Sequence, residues 1–342
     1  MNFASDNAYG AVPEMFEALR AANAGAVPSY GDDALTTRLA AEMAHVFEHE
    51  VAVFPVITGT AANALALSTL VPPYGAIFCH SDAHIATDEC GAPELFTQGA
   101  RLATLDGAHG KISPETIEEA VSHFSIGSVH HPQPAAVSIA QVSEMGTCYR
   151  PDEVRAIASV AQRYGMKLHM DGARLSNAIA SLGCEPADVT WKAGVDALSF
   201  GMTKNGALGA EVVVFFRAED VRDFEFRRKR FGHLISKMRF VSAQLLWALE
   251  NERWLGWARQ ANTLAATLAK RLGEISGVEI VHPVEANLVF ACVPERVIKT
   301  LRDSGAEFYD WGPPRGGRTL VRFVTSFATP EQDIDRLLAA CI

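Results

Sequence analysis

The segment DALSFGMTKNG, residues 196–206, joins a short apolar run to a loop of small residues that contains one lysine. The run DALSF is typical of a buried strand, and the glycines that follow it are typical of a turn. A lysine in such a loop usually points to solvent, so this segment alone assigns no role to Lys204. Whether Lys204 has a functional role depends on which residues the neighbouring strands place beside it.

Similar apolar runs recur through the first two thirds of the chain and alternate with amphipathic helical segments. The runs are VAVFPVI, AIFCH, RLATL, AAVSIAQ, KLHM, DALSF and EVVVFF. The helical segments between them include DDALTTRLAAEMAHVFEH, PETIEEAVSHF and PDEVRAIASVAQRYG. Continuous apolar strands that alternate with helices predict an α/β fold with a mostly parallel sheet covered on both faces.

The regular alternation of apolar runs and helical segments ends at about residue 225. A basic segment, FRRKRFGHLISKMRF, leads into long helical segments, and the strands EIVHP, NLVFACV and LVRFVTSF then alternate with further helices. We therefore predict two domains: residues 1–240, an N-terminal segment with a large domain, and residues 241–342, a smaller C-terminal α+β domain.

Composition excludes several classes of partner. The 342 residues are 49% hydrophobic and 20% charged, which is ordinary for a globular protein. A formal net charge of -10 argues against binding nucleic acid or an anionic lipid surface, because such binding needs many uncompensated basic residues. Neither a signal peptide nor an uninterrupted apolar stretch of membrane-spanning length is visible. We expect a cytoplasmic protein with no nucleic-acid or membrane partner.

Cysteine and histidine spacing predicts no metal site. The six cysteines are scattered without a CxxC pair, which fits a reducing compartment and indicates neither a zinc knuckle nor a disulfide framework. They are Cys79, Cys90, Cys148, Cys184, Cys292 and Cys341. His80 and His84 have the i, i+4 spacing of some zinc ligands, but no third ligand is apparent and HExxH is absent.

Polar residues follow three of the predicted strands. KLHM runs into Asp171, VAVFPVI runs into Thr58-Gly59-Thr60, and DALSF runs towards Lys204. In open α/β sheets, ligands bind beyond the carboxyl ends of the strands, so these residues are candidates for one shared site.

The turn TGTAAN, residues 58–63, has two interpretations. Gly59 lets a ligand approach the backbone, and the helix that follows offers free N–H groups to a phosphate. Alternatively, Thr58 or Thr60 is a plain helix N-cap. The glycine signatures GxxxxGK[ST] and GxGxxG are both absent at this turn, so a nucleotide-binding interpretation lacks support.

Asp171, at the end of an apolar strand, needs a compensating partner if it is buried. The structural alternative is an ion pair with Arg174, and the functional alternative is a protonated heterocycle. A strand-end aspartate, a phosphate-binding turn and a later lysine together predict pyridoxal 5'-phosphate as cofactor. Lys204 would form an imine with its aldehyde, and His84 would stack on the ring or move protons.

With these residues assembled, the chain resembles the threonine aldolase family within the fold-type I pyridoxal phosphate enzymes. The resemblance spans nearly the full length, and HMDGAR with the later lysine is its most specific part. The matching segments are SDNAYGAVPEM (5–15), VPSYGDD (27–33), TGTAAN (58–63), DAHIATDECGA (82–92), LHMDGARLSNA (168–178), SFGMTKNGA (199–207) and LVRFVTS (320–326).

This resemblance implies a role for each matching residue. Lys204 would be the Schiff-base lysine, Asp171 the partner of the pyridine nitrogen, and His84 the ring-stacking residue that also helps deprotonate the substrate. The phosphate contacts would be Gly59 and Thr60. The α-carboxylate contacts would be Ser5, Arg174 and Arg322, with Arg174 also close to the cofactor. Tyr30 would lie in the pocket, contributed by a neighbouring subunit of a homo-oligomer, either a dimer or a tetramer.

The implied reaction is cleavage of threonine, allo-threonine or a related amino acid such as phenylserine to glycine and an aldehyde. Rival functions are β-elimination or transamination with the same cofactor, a folate-using transferase such as serine hydroxymethyltransferase, and a binding domain without catalysis. The transferase is disfavoured because the chain is short and resembles that family less.

Two segments depart from the family pattern. Ser143 and Glu144 occupy a segment in which family members often carry a second histidine, which leaves His130 or His131 as a candidate substitute. The basic segment matches only loosely, so the residue that reaches the phosphate from it stays open among Arg230, Lys237 and Arg239, with Arg230 preferred. A solvated basic face is the alternative for each of these residues.

Overall fold

A computed structural model describes residues 1–340, and Cys341 lies outside the described residues. Its largest sheet has seven strands in the order β1-β7-β6-β5-β4-β2-β3. They are β1 Ala52–Val56, β2 Gly75–His80, β3 Arg101–Leu105, β4 Gln133–Ala140, β5 Lys167–Gly172, β6 Ala197–Gly201 and β7 Glu211–Phe215. Each corresponds to one of the apolar runs in the sequence.

The direction of the strands brings the expected strand ends to one edge of this sheet. Strands β6, β5, β4, β2 and β3 are mutually parallel, whereas β7 runs antiparallel to both β6 and β1. Strand β1 therefore points the same way as β6, and its carboxyl end lies at the same edge as those of β4 and β5. The prediction of a mostly parallel sheet is confirmed.

Helices cover both faces of the sheet and complete a buried core. They are α1 Pro13–Ala22, α2 Ala34–Val46, α3 Gly59–Leu70, α4 His84–Thr87, α5 Ala92–Phe96, α6 Pro114–Ser122, α7 Pro151–Arg163, α8 Leu175–Leu182, α9 Pro186–Val189, α10 Phe224–Arg230, α11 Arg239–Leu249 and α12 Arg253–Leu272. Met170, Leu198 and Phe200, on central strands, are fully buried beneath them. Among residues 1–340, no helix is both long enough and apolar enough to cross a bilayer.

The C-terminal region forms a second, antiparallel sheet of four strands in the order β10-β11-β9-β8. Its elements are β8 Glu279–Ile280, β9 Leu288–Pro294, α13 Glu295–Asp303, β10 Tyr309–Asp310, β11 Arg318–Val324 and α14 Glu331–Ala339. The small α+β unit expected from the sequence is therefore present, although the two-residue strand β10 has no apolar run that predicts it.

Helix α12 contributes to both hydrophobic cores. Trp254 and Leu255, near its start, pack into the core of the large sheet, whereas Leu264, Leu268 and Leu272 pack into the core of the small sheet. The core of the large sheet therefore continues past residue 240, and the domain division at 240/241 stays a prediction.

Replacing Leu268 with alanine tests the contribution of α12 to the small core. Leu268 is fully buried, so Leu268→Ala removes methyl groups and leaves a cavity that costs about 2–5 kcal/mol. The exposed Lys270 on the same helix is the control, and Lys270→Ala should change the free energy of unfolding by less than about 0.5 kcal/mol. Denaturant titration followed by circular dichroism measures both, and equal losses would contradict the assignment of this core.

Candidate active site

A cavity at the carboxyl edge of the large sheet collects residues from five separate segments. Its lining is Gly59, Asn63, His84, Ala140, Val142, Glu144, Asp171, Ala173, Arg174 and Lys204. Five of the residues singled out in the sequence meet here: Gly59, His84, Asp171, Arg174 and Lys204. The parallel arrangement of the strands explains this convergence, because it places the loops that follow them side by side.

Asp171 is the next-to-last residue of β5 and is only 8% exposed. Its Oδ2 accepts a hydrogen bond from Asn63 Nδ2 at 2.8 Å, and its Oδ1 accepts one from the Ala173 N–H at 3.0 Å. Burial acts to raise the pKa of Asp171, but the Lys204 charge and these hydrogen bonds outweigh burial and hold that pKa below its usual value. The carboxylate is therefore ionised and faces the cavity.

A chain of hydrogen bonds, buried except at its His84 end, links Asp171 to His84. The amide nitrogen of Asn63 also donates to Glu89 Oε1 at 2.8 Å, and the same oxygen lies 2.8 Å from His84 Nδ1. The bond to Glu89 raises the pKa of His84, against an opposing effect of burial. Because Nδ1 is hydrogen-bonded to Glu89, the orientation of the His84 ring is fixed, and a further partner would have to bind Nε2.

Lys204 lies in a tight loop after β6. The loop is closed by backbone hydrogen bonds from Asn205 and Ala207 to Met202, both 2.9 Å, and Asn205 Nδ2 ties it to the carbonyl of Trp254 at 2.8 Å. In the part of the chain that the structure describes, the Lys204 amine donates to no acceptor and forms no ion pair. A rigid loop thus presents an unpaired amine to a cavity that also contains an ionised aspartate.

The turn between β1 and α3 combines both interpretations of TGTAAN. Thr58 is the N-cap, and its hydroxyl accepts from the Ala61 N–H at 3.1 Å. Within residues 1–340 the N–H groups of Gly59 and Thr60 donate to no acceptor. A Cβ at Gly59 would have only Glu211 Oε2 near it, at 4.0 Å, so the space in front of the turn is open. The capped helix therefore keeps free donors for an anion.

Glu211 is a buried carboxyl beneath this turn. It starts β7, between Val56 of β1 and Gly201 of β6. Burial raises the pKa of Glu211 to about 7, against hydrogen bonds from Thr203 and the nearby Lys204 charge. A Cβ at position 201 would lie 1.7 Å from Glu211 Oε2, which explains the glycine there.

Arg174 pairs with Asp6 and not with Asp171. Its Nε and Nη2 donate to the two carboxylate oxygens of Asp6 at 2.7 and 2.9 Å. Burial acts to raise the pKa of Asp6, but the Arg174 charge and hydrogen bonds hold it below its usual value. The structural alternative for Asp171, an ion pair with Arg174, is not formed. Arg174 lines the cavity, where its Nη1 donates to no described acceptor.

Arg322 approaches the same region from β11 of the small sheet. Its Nη2 donates to the Ala4 carbonyl at 3.4 Å, and its guanidinium lies 4.5 Å from the Trp311 ring centroid. Burial and then repulsion from Arg174 lower the pKa of Arg322. Two neighbouring guanidinium groups favour an anion between them. Ser5 caps a short turn, since its hydroxyl accepts from the Asn7 N–H at 3.1 Å.

Tyr30 and Arg230 are exposed and lie outside this cavity. Tyr30 is 45% exposed, and the Lys229 amine lies 4.8 Å from its ring centroid. Arg230 lines a separate shallow recess with Phe226 and Phe231. Lys237 is also exposed, and Arg239 Nη1 donates to the Gly25 carbonyl at 3.2 Å. Within one chain, none of these residues reaches the residues around Lys204.

The histidines proposed as substitutes lie at the wrong edge of the sheet. His130 and His131 are exposed and precede β4, whereas the cavity lies beyond its carboxyl end. Of the two residues that depart from the family pattern, Glu144 lines the cavity. His80 is engaged by backbone, because its Nε2 lies 3.1 Å from the Gly107 carbonyl and its Nδ1 accepts from the Asp82 N–H at 3.0 Å.

Sequence reasoning missed four polar residues at this site: Asp6, Asn63, Glu89 and Glu211. For Asn63 a signal was available, because it follows Gly59 by four residues and so lies on the same face of α3. Glu89 lies in the motif around His84, but the motif does not indicate which residue Glu89 contacts. Asp6 and Glu211 reach the site through long-range packing, which residue spacing does not reveal.

Comparison with known proteins places the chain in a family. Residues 2–296 match the beta-eliminating lyase family. A low-specificity L-threonine aldolase of Pseudomonas sp. is 44% identical over 337 residues, which cover 98% of this chain and 96% of that protein. The chain belongs to the threonine aldolase family. The low-specificity L-threonine aldolase of Pseudomonas aeruginosa is 43% identical over 335 residues, which cover 98% of this chain and 94% of that protein.

Solved structures agree with this assignment. A threonine aldolase of Leishmania major superposes with a TM-score of 0.94 at 25% identity, over 99% of this chain and 98% of that one. A putative L-allo-threonine aldolase of Listeria monocytogenes gives a TM-score of 0.74 at 17% identity, over 99% of this chain and 95% of that one, which supports the fold alone. The resemblance inferred from the motifs is confirmed, as are the fold-type I architecture and the assignment as a lyase.

Asp6→Asn tests the buried ion pair with Arg174. Because the folded-state pKa of Asp6 lies below its ordinary value of 3.8, the pair stabilises the fold above that value, and this stabilisation is lost as pH falls through the lower folded-state pKa. We expect the variant to be less stable at neutral pH by about 3 kcal/mol or more. It should also lose less stability than the wild type on acidification below about pH 5.

Denaturant titration across this pH range measures the effect, with Asp152→Asn as the control because Asp152 is exposed. An unchanged pH dependence in Asp6→Asn would show that the pair does not contribute to stability.

Proposed function

We propose that the chain is a pyridoxal 5'-phosphate-dependent aldolase that cleaves β-hydroxy-α-amino acids to glycine and an aldehyde. Threonine, allo-threonine and phenylserine are the candidate substrates. The observation that carries the proposal is the unpaired Lys204 amine in one cavity with an ionised Asp171 and a helix start with free N–H groups. The names of the Pseudomonas relatives support the same reaction.

The residues of the cavity fit this cofactor. An amine that lacks any other partner suits attachment of an aldehyde, and the free N–H groups of Gly59 and Thr60 suit a phosphate. Asp171 would keep the proton on the ring nitrogen, and His84, held by Glu89, would lie against the ring. When bound, the cofactor supplies an electron sink for the bond that is broken at Cα.

Arg174 and Arg322 would hold the α-carboxylate of the substrate. Asp6 fixes Arg174 through two hydrogen bonds, and the partners of Arg322 are the Ala4 carbonyl and two aromatic rings. A rigid pair of guanidinium groups fixes the rotation about the bond to Cα, and this rotation decides which bond is aligned for cleavage. These arginines would therefore control the reaction as well as affinity. Ser5 would add a hydrogen bond to the same carboxylate.

We further propose that the working enzyme is a cytoplasmic homo-oligomer, either a dimer or a tetramer. Tyr30 and Arg230 lie outside the cavity of their own chain, so their proposed roles require a second copy. Arg230 would then reach the phosphate and Tyr30 the substrate. Size-exclusion chromatography with light scattering, combined with mixing of Tyr30 and Lys204 variants to restore activity, tests this arrangement.

Product analysis separates the candidate reactions. Glycine with an aldehyde indicates aldol cleavage, ammonia with a keto acid indicates β-elimination, and a new amino acid indicates transamination. A purified protein that cannot be reconstituted with the cofactor, judged by absorbance in the visible range, would support the binding-domain alternative instead. A panel of threonine and phenylserine stereoisomers identifies the preferred substrate.

Lys204→Ala should abolish aldol cleavage, because the amine that attaches the cofactor is gone. Borohydride reduction of the reconstituted wild type followed by peptide mass spectrometry should place the added mass on Lys204, and the variant should show none. Lys192→Ala is the control, since Lys192 is a surface lysine paired with Glu48. Cleavage at the wild-type rate in Lys204→Ala, or mass on another side chain, would contradict the mechanism.

Arg322→Ala should raise KM by about 10-fold to 100-fold, which corresponds to one lost charge-assisted hydrogen bond. Loss of the carboxylate contact should also increase the fraction of products from other bond cleavages. Steady-state kinetics with product analysis measures both effects. The control is Arg315→Ala, because Arg315 is exposed, and an unchanged KM and product ratio in Arg322→Ala would remove Arg322 from the site.

A further inference from the structure

The loop that follows β4, residues 141–149, is fixed by hydrogen bonds at its base and its centre. The side-chain amide of Gln141 donates to the Tyr149 carbonyl at 2.8 Å and accepts from the Tyr149 N–H at 2.9 Å. Further in, the Ser143 N–H donates to the Thr147 carbonyl at 2.9 Å. The hydroxyls of Ser143 and Thr147 both donate to the His109 carbonyl, at 3.1 and 2.7 Å. The loop is therefore a rigid support for Glu144 at its turn.

Glu144 is the carboxyl at the cavity that has no fixed partner. Asp6 is held by Arg174, Asp171 by Asn63 and the Ala173 N–H, and Glu89 by Asn63 and His84. Among the described residues, by contrast, the Glu144 carboxylate accepts no hydrogen bond and forms no ion pair, although it lines the cavity. A carboxylate that is not committed to the protein can exchange a proton with a ligand.

Charged groups from four other segments face Glu144. They are His84 from α4, Asp171 at the end of β5, Arg174 after it, Lys204 after β6 and Arg322 on β11. Burial raises the pKa of Glu144, whereas Arg174 and Lys204 act to lower it. Burial is the largest of these effects, so the pKa of Glu144 is raised overall, and the carboxyl holds a proton more readily than an exposed glutamate does.

His84 is less suited to accept a proton. A base must begin the reaction unprotonated, and the pKa of both groups is raised. For His84 the hydrogen bond to Glu89 raises the pKa from an ordinary value of 6.5, whereas for Glu144 burial raises it from 4.5, so the imidazole starts from the higher value. Its Nδ1 is also committed to Glu89 at 2.8 Å. His84 is therefore held in place by Glu89, whereas Glu144 is free to exchange a proton with a ligand.

We propose that Glu144 accepts the β-hydroxyl proton during aldol cleavage, an inference that rests on the proposed function. The Cα–Cβ bond breaks and its electron pair stays at Cα. The electron pair of the O–H bond forms the carbonyl of the aldehyde, and the proton passes to a carboxylate oxygen of Glu144. Cα then takes up one proton to give glycine, and Glu144 releases its own to solvent. The step needs no oxidant, reductant or further reactant.

Glycine as a ligand isolates this step, because glycine has an α-proton but no β-hydroxyl. In Glu144→Gln we expect the rate of threonine or phenylserine cleavage to fall by about 100-fold or more, the usual contribution of a general base. Glycine binding, followed by the change in cofactor absorbance, and exchange of the glycine α-proton in heavy water, followed by NMR, should stay within about threefold of wild type. Glu144→Asp, which keeps the carboxylate, should recover part of the cleavage rate. Glu119→Gln, on an exposed position of α6, is the control.

The possible outcomes separate the role of Glu144 from the aldolase function on which that role rests. Cleavage in Glu144→Gln near the wild-type rate would overturn the role of Glu144 and leave the aldolase function intact. A parallel loss of cleavage, glycine binding and α-proton exchange would also overturn it, because Glu144 would then only support the site. A wild-type protein that binds the cofactor and exchanges the glycine α-proton but never cleaves a β-hydroxy amino acid would overturn the aldolase function itself.

Discussion

The ionised Asp171 at the end of a buried strand is the constraint on which the rest of the site depends. A carboxylate enclosed in this way is unstable unless donors and a cation surround it. Asn63 and the Ala173 N–H supply the donors, and the Lys204 amine supplies the nearby charge. Because these groups come from α3, the turn after β5 and the loop after β6, the carboxylate can be satisfied only when the large sheet is assembled. The site therefore forms only when the large sheet folds.

The N-terminal segment extends this dependence to the small domain. Phe3 packs into the core of the small sheet, while Asp6 binds Arg174 beside the large sheet and also accepts from Asn287 at 3.0 Å. Three distant parts of the chain therefore meet at one carboxylate. The arrangement sets the position of Arg174, which follows β5 of the large sheet, relative to Arg322 on β11 of the small sheet.

Much of this architecture could be predicted from local pattern. Each strand of the large sheet corresponds to an apolar run, and the position of Lys204 and Asp171 at strand ends follows from the expected parallel sheet. Pattern could not show that β7 is antiparallel, because a buried run such as EVVVFF looks the same in either direction. It also could not pair Asp6 with Arg174, since that contact spans 168 positions of sequence. The place of Glu144 in the cavity depends on how the loop after β4 folds back, which spacing does not reveal.

The contact between Gly201 and Glu211 has a consequence for directed evolution. The carboxyl of Glu211 occupies the volume that any side chain at position 201 would need. A library that changes one position at a time would therefore score position 201 as intolerant, and a smaller residue at position 211 alone would leave a cavity. Paired exchanges, with a smaller residue at 211 and a larger one at 201, would keep the volume filled and give access to variants that single steps cannot reach.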